Sequence, residues 1–415
     1  MPRAGLLGVS VAGETEFMMS RFRTYYVERP PPPPDRFGRR EFGFMFFDKS
    51  FVQRHLAFPK KSELHAFLKE RVPAHVYYSS AYYEIPDAER MEDKKWLGAD
   101  LIFDLDADHI PGADQLTYTE MLARVKAEMI RLLDEYLLGD LGFDEKKVKV
   151  TFSGGRGYHA HVFDPRVLSL RSHERREIVD YVTGTDLSVD WLVPEEARVG
   201  IRIKTGSRSL KTRVLLGEDR GGWRGKVRPG LISLLDEMEG LGPKDAMVRY
   251  KAFQGEREEV VTGLFEDLFQ GARGRRGRDL ILTKGNLANV RDKHQTAFLR
   301  LVDMDLKPRL AGEVDEPVTS DIKRLIRMPH SLHGKTGLRV VPMRRADLDE
   351  FEPLRDAVPD TLTDEPIRLH MNRDVDVALR GERFILRGDV DVPEFAALFF
   401  ICRREATLSG TDSLD

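Results

Sequence analysis

The sequence predicts an α/β protein in which a mixed-sheet core is interrupted by a mostly helical insertion. Three observations carry this prediction. β-Forming apolar residues are concentrated in short stretches, at 40–47, 75–85, 99–108 and 147–163. A helical apolar spacing at 117–138 predicts the strongest amphipathic helix. The long stretch between the last β-rich segment and residue 290 is mostly helical in pattern, with charged and glycine-rich interruptions.

This pattern divides the chain into four parts. We expect the core to be assembled from 18–165 and 290–345, with 166–289 inserted between its halves as a basic, helical subdomain. Residues 346–415 are mixed in pattern and are expected to pack on the core. For residues 1–17 we expect a disordered or misassigned start, because Met18 and Met19 directly precede the first plausible amphipathic segment.

Composition narrows the class of protein. The chain has 415 residues, 41% hydrophobic and 33% charged, which is typical of a globular protein. No apolar run approaches the roughly 20 residues that cross a bilayer, so we expect no membrane span. The one cysteine, Cys402, excludes an intrachain disulfide and any cysteine-built zinc or iron–sulfur site, and fits a reducing interior.

The net charge of −3 means that any surface for nucleic acid must be local. Between Arg198 and Arg228 there are ten basic residues against two acidic ones, and a second basic cluster runs from Gly271 to Asp279. Solvated loops explain such runs equally well. If the first run binds template, neutralising Arg208, Lys211 and Arg213 should flatten the salt dependence of template binding.

Asp104 and Asp106 form the sharpest local feature. On a strand, residues two apart share a face, so these carboxylates point together while Phe103 and Leu105 point the other way. Two ionised carboxylates about 6.6 Å apart repel by roughly 2–3 kcal/mol at an effective dielectric near 20. A divalent cation would offset this, and Mg²⁺ and Mn²⁺ prefer such oxygen ligands. Taken alone, the pair fits equally well a strand that ends in an acidic loop.

A glycine-rich turn follows between two predicted strands, in the sequence SGGRGYH at 153–159. Its glycines allow a bulky anion to approach the backbone, and Ser153, Arg156 and His159 can all donate hydrogen bonds to phosphate. A plain hairpin turn is an equal alternative, and His159 with His161 could also form a metal-ligand pair. The glycine spacing does not fit a dinucleotide-binding fingerprint.

A third cluster begins at Asp315. The residues after it predict a helix with Ile322, Leu325 and Ile326 on its buried face and two arginines on a second stripe. A basic turn that contains His333 then leads into a strand. The triplet Gly-Lys-Thr at 334–336 is not a nucleotide-binding P-loop, because the earlier glycine is replaced by Pro329 and no helix follows.

Together the three clusters resemble the small catalytic subunit of archaeal and eukaryotic replicative DNA primases. The matching stretches are FDLDADH at 103–109, SGGRGYHAHV at 153–162 and VDEPVTSDIKRLIRMPHSLHGKTGLRV at 314–340. The resemblance spans roughly 18–343. It implies an archaeal-type primase fold and the synthesis of short primers de novo on single-stranded DNA from nucleoside triphosphates, with deoxynucleotide use left open.

The resemblance also assigns residues. The catalytic, metal-binding aspartates fall on Asp104, Asp106 and Asp315, and would hold two Mg²⁺ or Mn²⁺ ions. The triphosphate contacts fall on five residues: Ser153, Arg156, His159, Arg327 and His333. Arg54 and Ser79 are weaker assignments. Many members carry a zinc knuckle after the acidic pair, whereas this chain has no cysteine there, so we expect no structural zinc. The implied partner is a large primase subunit, and the implied location is cytoplasmic and nucleoid-associated.

Three other functions are compatible with these residues. A repair or plasmid-borne primase-polymerase would share the carboxylates, and synthesis without a primer separates the two. A non-catalytic subunit that binds single-stranded nucleic acid would keep the motifs without incorporating nucleotides. A metal phosphohydrolase is disfavoured, because no further cluster of histidines and aspartates supplies a bridging metal site.

Overall fold

The computed structural model describes residues 4–109, 112, 115–197, 201–203, 206–208, 211–215, 221–271 and 274–409. Within them the chain divides into two compact units. The first contains 1–134, 143–179 and 313–415, and the second contains 135–142 and 180–312. The sequence-based boundaries at 166 and 289 define a different partition, which stays a prediction.

Helices occur along the whole chain. In chain order they are α1 (Ala4–Glu28), α2 (Lys61–Arg71), α3 (Tyr118–Arg131), α4 (Ser172–Thr183), α5 (Val189–Leu192), α6 (Gly222–Arg249), α7 (Glu258–Phe265), α8 (Gly277–Lys284), α9 (Asp292–Leu301), α10 (Lys307–Leu310), α11 (Glu316–Ser320), α12 (Arg345–Leu348), α13 (Pro353–Asp356) and α14 (Glu394–Cys402). α1 begins within the segment 1–17, and a translation start at Met18 or Met19 stays a prediction.

The strands are short. They are β1 (Phe42–Met45), β2 (Gln53–Leu56), β3 (His75–Ser79), β4 (Ala81–Tyr83), β5 (Trp96–Ala99), β6 (Leu101–Asp106), β7 (Val148–Phe152), β8 (Gly157–Val162), β9 (Glu195–Ala197), β10 (Ile201–Ile203), β11 (Gly206–Arg208), β12 (Lys211–Arg213), β13 (Leu325–Arg327), β14 (Val341–Met343), β15 (Pro366–Met371), β16 (Val375–Leu379), β17 (Glu382–Leu386), β18 (Asp389–Pro393) and β19 (Ala406–Leu408).

Two four-stranded sheets build the core of the first unit. One has the order β13-β3-β1-β2 and the other β14-β7-β8-β6. The prediction of an α/β fold is confirmed in its coarse form, since helices and sheets are combined. The prediction of a mixed sheet is wrong for the described strands, because every pairing within these two sheets is antiparallel. The tight turn between β7 and β8 requires this direction.

The amphipathic helix α3 covers one face of the second sheet. Its start is fixed by a capping box, in which Thr117 and Glu120 exchange side-chain and backbone hydrogen bonds. Leu122, Val125 and Met129 are buried on its inner face, and the helix packs against β6 and β8. The carboxylates of β6 are therefore left on the opposite face of the sheet.

The second unit is mostly helical, with α5–α10 around a buried apolar core and only short strands between them. Its longest helix, α6, is broken at Gly242, which has φ of 77° and is followed by Pro243. α7 and α9 are joined by a buried ionic network in which the Asp267 carboxylate accepts from Arg291 Nε at 2.6 Å and lies 2.6 Å from His294 Nδ1.

Candidate active site

One cleft of about 1120 Å³ in the first unit is lined by residues from both of its main sheets. Of the eight residues singled out in the sequence, the cleft lining includes seven: Asp104, Asp106, Ser153, Arg156, His159, Arg327 and His333. Asp315 is not part of this lining in the described chain. Side chains from three segments that are far apart in the sequence therefore share one cavity.

The carboxylates of Asp104 and Asp106 enter the cleft from the end of β6. Their side chains are 19% and 36% exposed, whereas Phe103 and Leu105, which alternate with them, are buried on the helix-covered face. Burial, together with the nearby carboxylates of Asp106 and Asp315, raises the pKa of Asp104 to about 7. The end of this strand thus holds a carboxyl group whose ionised form is disfavoured by its surroundings.

Asp315 joins this strand through its backbone. Its N–H donates to the Asp104 carbonyl oxygen at 3.0 Å, and the residue caps the start of α11, with Pro317 in the first turn. Its carboxylate is close enough to raise the pKa of Asp104, although it does not line the cleft. The backbone of Asp315 therefore lies beside that of Asp104. That its carboxylate shares a metal ion with Asp104 and Asp106 stays a prediction.

The donor set suits a hard divalent cation. Unbalanced carboxylate charge at the end of a strand is what Mg²⁺ or Mn²⁺ would neutralise, and the available donors are carboxylate oxygens. In the described chain, however, no three histidine, cysteine, aspartate or glutamate side chains are already grouped closely enough to hold an ion. The carboxylates of Asp104, Asp106 and Asp315 thus fit Mg²⁺ or Mn²⁺ in the type of donor atom and in the sign of the charge.

The glycine-rich turn lies next to the carboxylates. Its Ser153 hydroxyl accepts from the N–H groups of Gly155 and Gly157 at 3.3 Å each, which fixes the shape of the turn. Gly154 has φ of 77°, and a Cβ atom there would lie 2.7 Å from the Cβ of His333. Glycine is therefore required by both conformation and space, because the loop that carries His333 packs directly on the turn.

Arg156 and His159 both face the acidic strand. The Arg156 guanidinium pairs with Asp108 and lies 3.7 Å from Asp106 Oδ1. His159 Nε2 lies 3.3 Å from Asp104 Oδ1, because β8 pairs with β6 so that these two residues are opposite each other. Burial lowers the pKa of His159 well below its usual range, so its ring is neutral. Its neighbour His161 is buried, and neither of its ring nitrogens has a hydrogen-bond partner among the described residues.

Arg327 reaches the cleft from β13, not from a helix. The prediction of a helix through Ile322, Leu325 and Ile326 is wrong, since α11 ends at Ser320 and Leu325–Arg327 pairs antiparallel with β3. Three apolar residues cannot distinguish the two periods, and the open edge of β3 supplies the hydrogen bonds that decide. Arg327 Nη1 donates to His75 Nδ1 at 2.7 Å, and its guanidinium lies 5.2 Å from the Tyr77 ring.

The loop from His330 to Gly337 holds His333 in place. His333 Nδ1 lies 3.1 Å from Thr336 Oγ1, and that hydroxyl donates to the Gly154 carbonyl at 2.5 Å. The Tyr25 hydroxyl of α1 donates to the His330 carbonyl at 2.9 Å. Burial and the neighbouring Arg327 lower the pKa of His333 well below its usual range, so it too is neutral. The loop that resembles a P-loop in sequence thus braces the glycine-rich turn.

The cleft contains further residues that the sequence analysis did not assign. Arg324, Lys335 and Tyr118 line it, as do three arginines from the C-terminal segment: Arg373, Arg403 and Arg404. Arg324 lies three residues before Arg327 in the same segment, so the sequence could have indicated it as a further cation of the cleft. No sequence pattern marked the C-terminal arginines: Arg373 lies in a mixed segment, and Arg403 and Arg404 follow an apolar run that is typical only of a buried helix.

Some sequence expectations lie elsewhere or outside the described residues. Arg54 pairs with the buried Glu41, and Ser79 Oγ donates to the Ala81 carbonyl at 2.6 Å; neither lines the cleft in the described chain. Parts of both basic clusters, at 198–200, 204–205, 209–210, 216–220 and 272–273, fall outside the described residues. Among the described residues, no helix combines the length and the apolarity needed to cross a membrane.

Comparisons with known proteins identify the family. Residues 103–345 match the family model described as DNA primase small subunit. The small subunit PriS of DNA primase from Methanocella arvoryzae is 43% identical over 398 residues, which cover 94% of this chain and 97% of that protein. The PriS protein of Methanosarcina acetivorans is 41% identical over 404 residues, covering 94% and 95%. That of Picrophilus torridus is 37% identical over 384 residues, covering 92% and 95%. The match includes the acidic strand, the glycine-rich turn and the loop that carries His333, and the chain therefore belongs to the DNA primase small subunit family.

Proposed function

We propose that this chain is the catalytic subunit of a DNA primase, which synthesises short primers de novo on single-stranded DNA for replication. The observation that carries the proposal is the meeting of two carboxylates from one strand with a glycine-rich, cationic turn in a single cleft. Nucleotidyl transfer needs both parts, because charge develops on the phosphate that reacts while the rest of the triphosphate must be held still.

The chain's own residues would bind the triphosphate. Arg156 and Arg327 present guanidinium groups to the cleft, and such groups form charge-assisted hydrogen bonds with phosphate oxygens. Ser153 fixes the turn beside them, and the neutral ring of His159 can donate a single hydrogen bond to phosphate. The one N–H of neutral His333 is held by Thr336 Oγ1, whose own hydrogen goes to the Gly154 carbonyl, so His333 would contribute by keeping the turn in shape for the triphosphate. Arg327 is itself held by His75, so its position is set before the nucleotide arrives.

Asp104, Asp106 and Asp315 would hold two Mg²⁺ or Mn²⁺ ions. When bound, these ions would lower the pKa of the attacking 3′-hydroxyl and neutralise the triphosphate as pyrophosphate leaves. The support for this assignment is the placement of a half-buried carboxyl group, Asp104, beside two further carboxylates, which together with burial raise its pKa to about 7. The apolar residues that alternate with the pair keep both carboxylates on the cleft side of the sheet.

The proposal includes the substrates and the partner. Ribonucleoside triphosphates are the proposed substrates, and the same cradle would accept deoxyribonucleoside triphosphates, because the residues assigned above contact phosphate and not sugar. We further propose that the chain acts in a heterodimer with a large primase subunit. The support for this partner is the family to which the chain belongs.

The test is synthesis on oligo-dT with ATP and Mn²⁺ by the wild-type chain, by Asp104→Ala and by the matched control Asp48→Ala. Asp48 is an exposed carboxylate of the same unit that lies outside the cleft lining. We expect the Asp104 variant to lose roughly 10³-fold or more in rate, since charge stabilisation of several kcal/mol is removed, and the control to stay within about twofold.

Three outcomes would contradict the proposal. Undiminished synthesis by Asp104→Ala would remove the carboxylates from the reaction. Extension of an added primer without any de novo product would favour a primase-polymerase. Binding of oligo-dT without metal-dependent incorporation would favour a non-catalytic subunit.

A further inference from the structure

The C-terminal segment contributes its own cationic surface to the cleft. Arg373 precedes β16, and Arg403 and Arg404 follow α14, yet all three line the cavity that contains the carboxylates. We call these three arginines the C-terminal wall. None of them belongs to the glycine-rich turn or to the loop that carries His333.

Two of these arginines are held in fixed orientations by one buried acid. Glu405, whose side chain is 5% exposed, pairs with Arg373 and accepts from Arg403 Nε at 2.8 Å. The guanidinium of Arg403 also lies 4.0 Å from the Tyr118 ring and 5.2 Å from the Phe399 ring. One carboxylate thus faces two guanidinium groups, which leaves one positive charge of this cluster without a counterion.

Arg404 adds a second unbalanced charge. Its side chain is exposed in the cleft lining and has no ion pair or hydrogen bond with any residue that the structure describes. Its φ of 59° is a conformation that favours glycine, so the backbone does not explain why an arginine stands there. The neighbouring acids Asp374 and Asp376 do not balance it, because each has its own arginine, Arg387 at 3.6 Å and Arg383 at 2.7 Å.

The wall adjoins the glycine-rich turn through Tyr118. The Tyr118 hydroxyl donates to the Gly155 carbonyl at 2.6 Å, while its ring packs against Arg403. The cleft is therefore continuous from the turn to the wall. Its volume of about 1120 Å³ exceeds the roughly 300–1,000 Å³ that a drug-sized ligand such as one nucleotide needs.

The other cations of the cleft suffice for one nucleotide. Arg324, Arg327 and Lys335 line it apart from the wall without an ion pair among the described residues, and together with Arg156, which also pairs with Asp108, they would offset most of the charge of a single triphosphate. The unbalanced charges of the wall are additional to these. Repeated phosphates with one charge each, as in a nucleic-acid backbone, are the ligand that such additional guanidinium groups bind.

We propose that the C-terminal wall binds the phosphodiester backbone of a nucleic-acid strand that lies in the cleft beside the incoming nucleotide. This inference rests on the proposed primer synthesis, because it assigns a strand-binding role within the same cleft. Arg404 makes a direct contact with a strand phosphate, and Glu405 positions Arg373 and Arg403 for the adjacent one.

The test compares Arg404→Gln with the matched control Arg368→Gln. Arg368 lies in the same C-terminal segment and is also exposed, and neither it nor its partner Asp391 lines the cleft. Affinity for fluorescent oligo-dT is measured in EDTA over a salt series, so that no turnover takes place. For Arg404→Gln we expect the slope of log affinity against log salt to shrink by about 0.7, the value for one lost single-strand phosphate contact. The control should keep the wild-type slope.

A second arm separates the strand from the nucleotide as the source of the phosphate. We expect the KM for ATP on saturating oligo-dT to stay within about twofold in Arg404→Gln. A raised KM with an unchanged salt slope would overturn the inference, because the wall would then bind the triphosphate. An unchanged slope with an unchanged KM would overturn it as well.

Folding does not confound the test, because Arg404 is exposed and its side chain forms no ion pair or hydrogen bond with a described residue. Arg404→Gly serves as a second variant, since glycine suits the φ of 59°; it should show the same loss of slope with an unchanged or raised melting temperature. The binding experiment needs no catalysis. If the wild-type chain makes no primers, the proposed function fails, but the effect of Arg404→Gln on the salt slope can still be measured.

Discussion

Positive charge is concentrated in the cleft of the first unit and in the second unit, and the two regions differ in how that charge is balanced. In the second unit many of the described cations have carboxylate partners, among them Arg213 with Asp190, Lys226 with Asp140, Arg276 with Asp279, and Arg278 with Asp236. In the cleft, Arg324, Lys335 and Arg404 have no ion pair among the described residues, and Arg327 is held by the neutral ring of His75.

This difference shows that the density of basic residues in a sequence does not locate a binding surface. Residues 198–228 are the most basic stretch of the chain. Among their described side chains, Arg213 and Lys226 form ion pairs with Asp190 and Asp140 of the same unit. The cleft is not marked by a basic run in the sequence. It nevertheless contains cations without an ion pair, and the Asp104 carboxyl group, whose pKa is raised by burial and by neighbouring carboxylates. Unbalanced charge that lines a cavity indicates a ligand, whereas balanced charge stabilises the fold.

The largest expected effect is on catalysis. Arg327→Gln should lower kcat/KM on oligo-dT by roughly 10²–10³-fold, because a positioned cation that stabilises the reacting phosphates is removed. The matched variant Arg278→Gln removes a paired cation of the second unit and should change kcat/KM by less than about twofold. Steady-state incorporation of ATP measures both values.

A conservative variant sharpens this result. Arg327→Lys keeps the charge but cannot reproduce both the forked geometry and the bond to His75, so it should recover only part of the loss. Equal losses in Arg278→Gln and Arg327→Gln would end the distinction between the two regions.

The second prediction is that replacing one carboxylate by an amide changes the stability of the folded protein in opposite directions in the two regions. The folded-state pKa of Asp104 is raised to about 7, against about 4 in the unfolded chain. At about pH 8 the group is ionised in both states, and the native state carries the full penalty. As the pH falls from 7 towards 4, the native carboxyl group takes up a proton and the penalty disappears. Asp104→Asn should therefore stabilise the metal-free protein by on the order of 2–4 kcal/mol near pH 8 and by almost nothing near pH 4.

The matched variant Asp267→Asn should destabilise the protein by roughly 2–4 kcal/mol at neutral pH, because it removes the carboxylate that Arg291 and His294 share. Thermal unfolding in EDTA at several pH values measures both effects. A fall in the melting temperature of Asp104→Asn near pH 8 would mean that the carboxylate is already balanced in the native state.

Much of the fold could be predicted from local patterns. The helix α3 was predictable because its apolar spacing and its cap at Thr117 agree with each other. The strand β6 was predictable because its apolar residues alternate with aspartates. The strand Leu325–Arg327 was not, because its structure is decided by the edge of β3, which is about 250 residues away in the chain.

The same distinction applies to the site. The acidic pair and the glycine-rich turn are contiguous in sequence, so their chemistry can be read directly. His75 and Tyr118 matter through what they hold, the Arg327 guanidinium and the Gly155 carbonyl, and such contacts have no local sequence pattern. Of the C-terminal wall, Arg403 and Arg404 follow the apolar helix α14 while Arg373 precedes β16, so only tertiary packing brings the three arginines to one cleft.

The smallest expected effect is in the basic segment of the second unit. The Arg213 guanidinium donates to Asp190 at 2.8 Å and to the Val193 carbonyl at 3.0 Å, so it is not available to a phosphate as it stands. Arg213→Gln should leave the salt slope of oligo-dT binding unchanged. If neutralising Arg208, Lys211 and Arg213 together reduces the salt slope of oligo-dT binding, then neutralising Arg208 and Lys211 alone should reduce that slope by the same amount. A shift of about 0.7 in the slope for Arg213→Gln alone would show that this ion pair opens on binding, and balanced charge would no longer distinguish the second unit from the cleft.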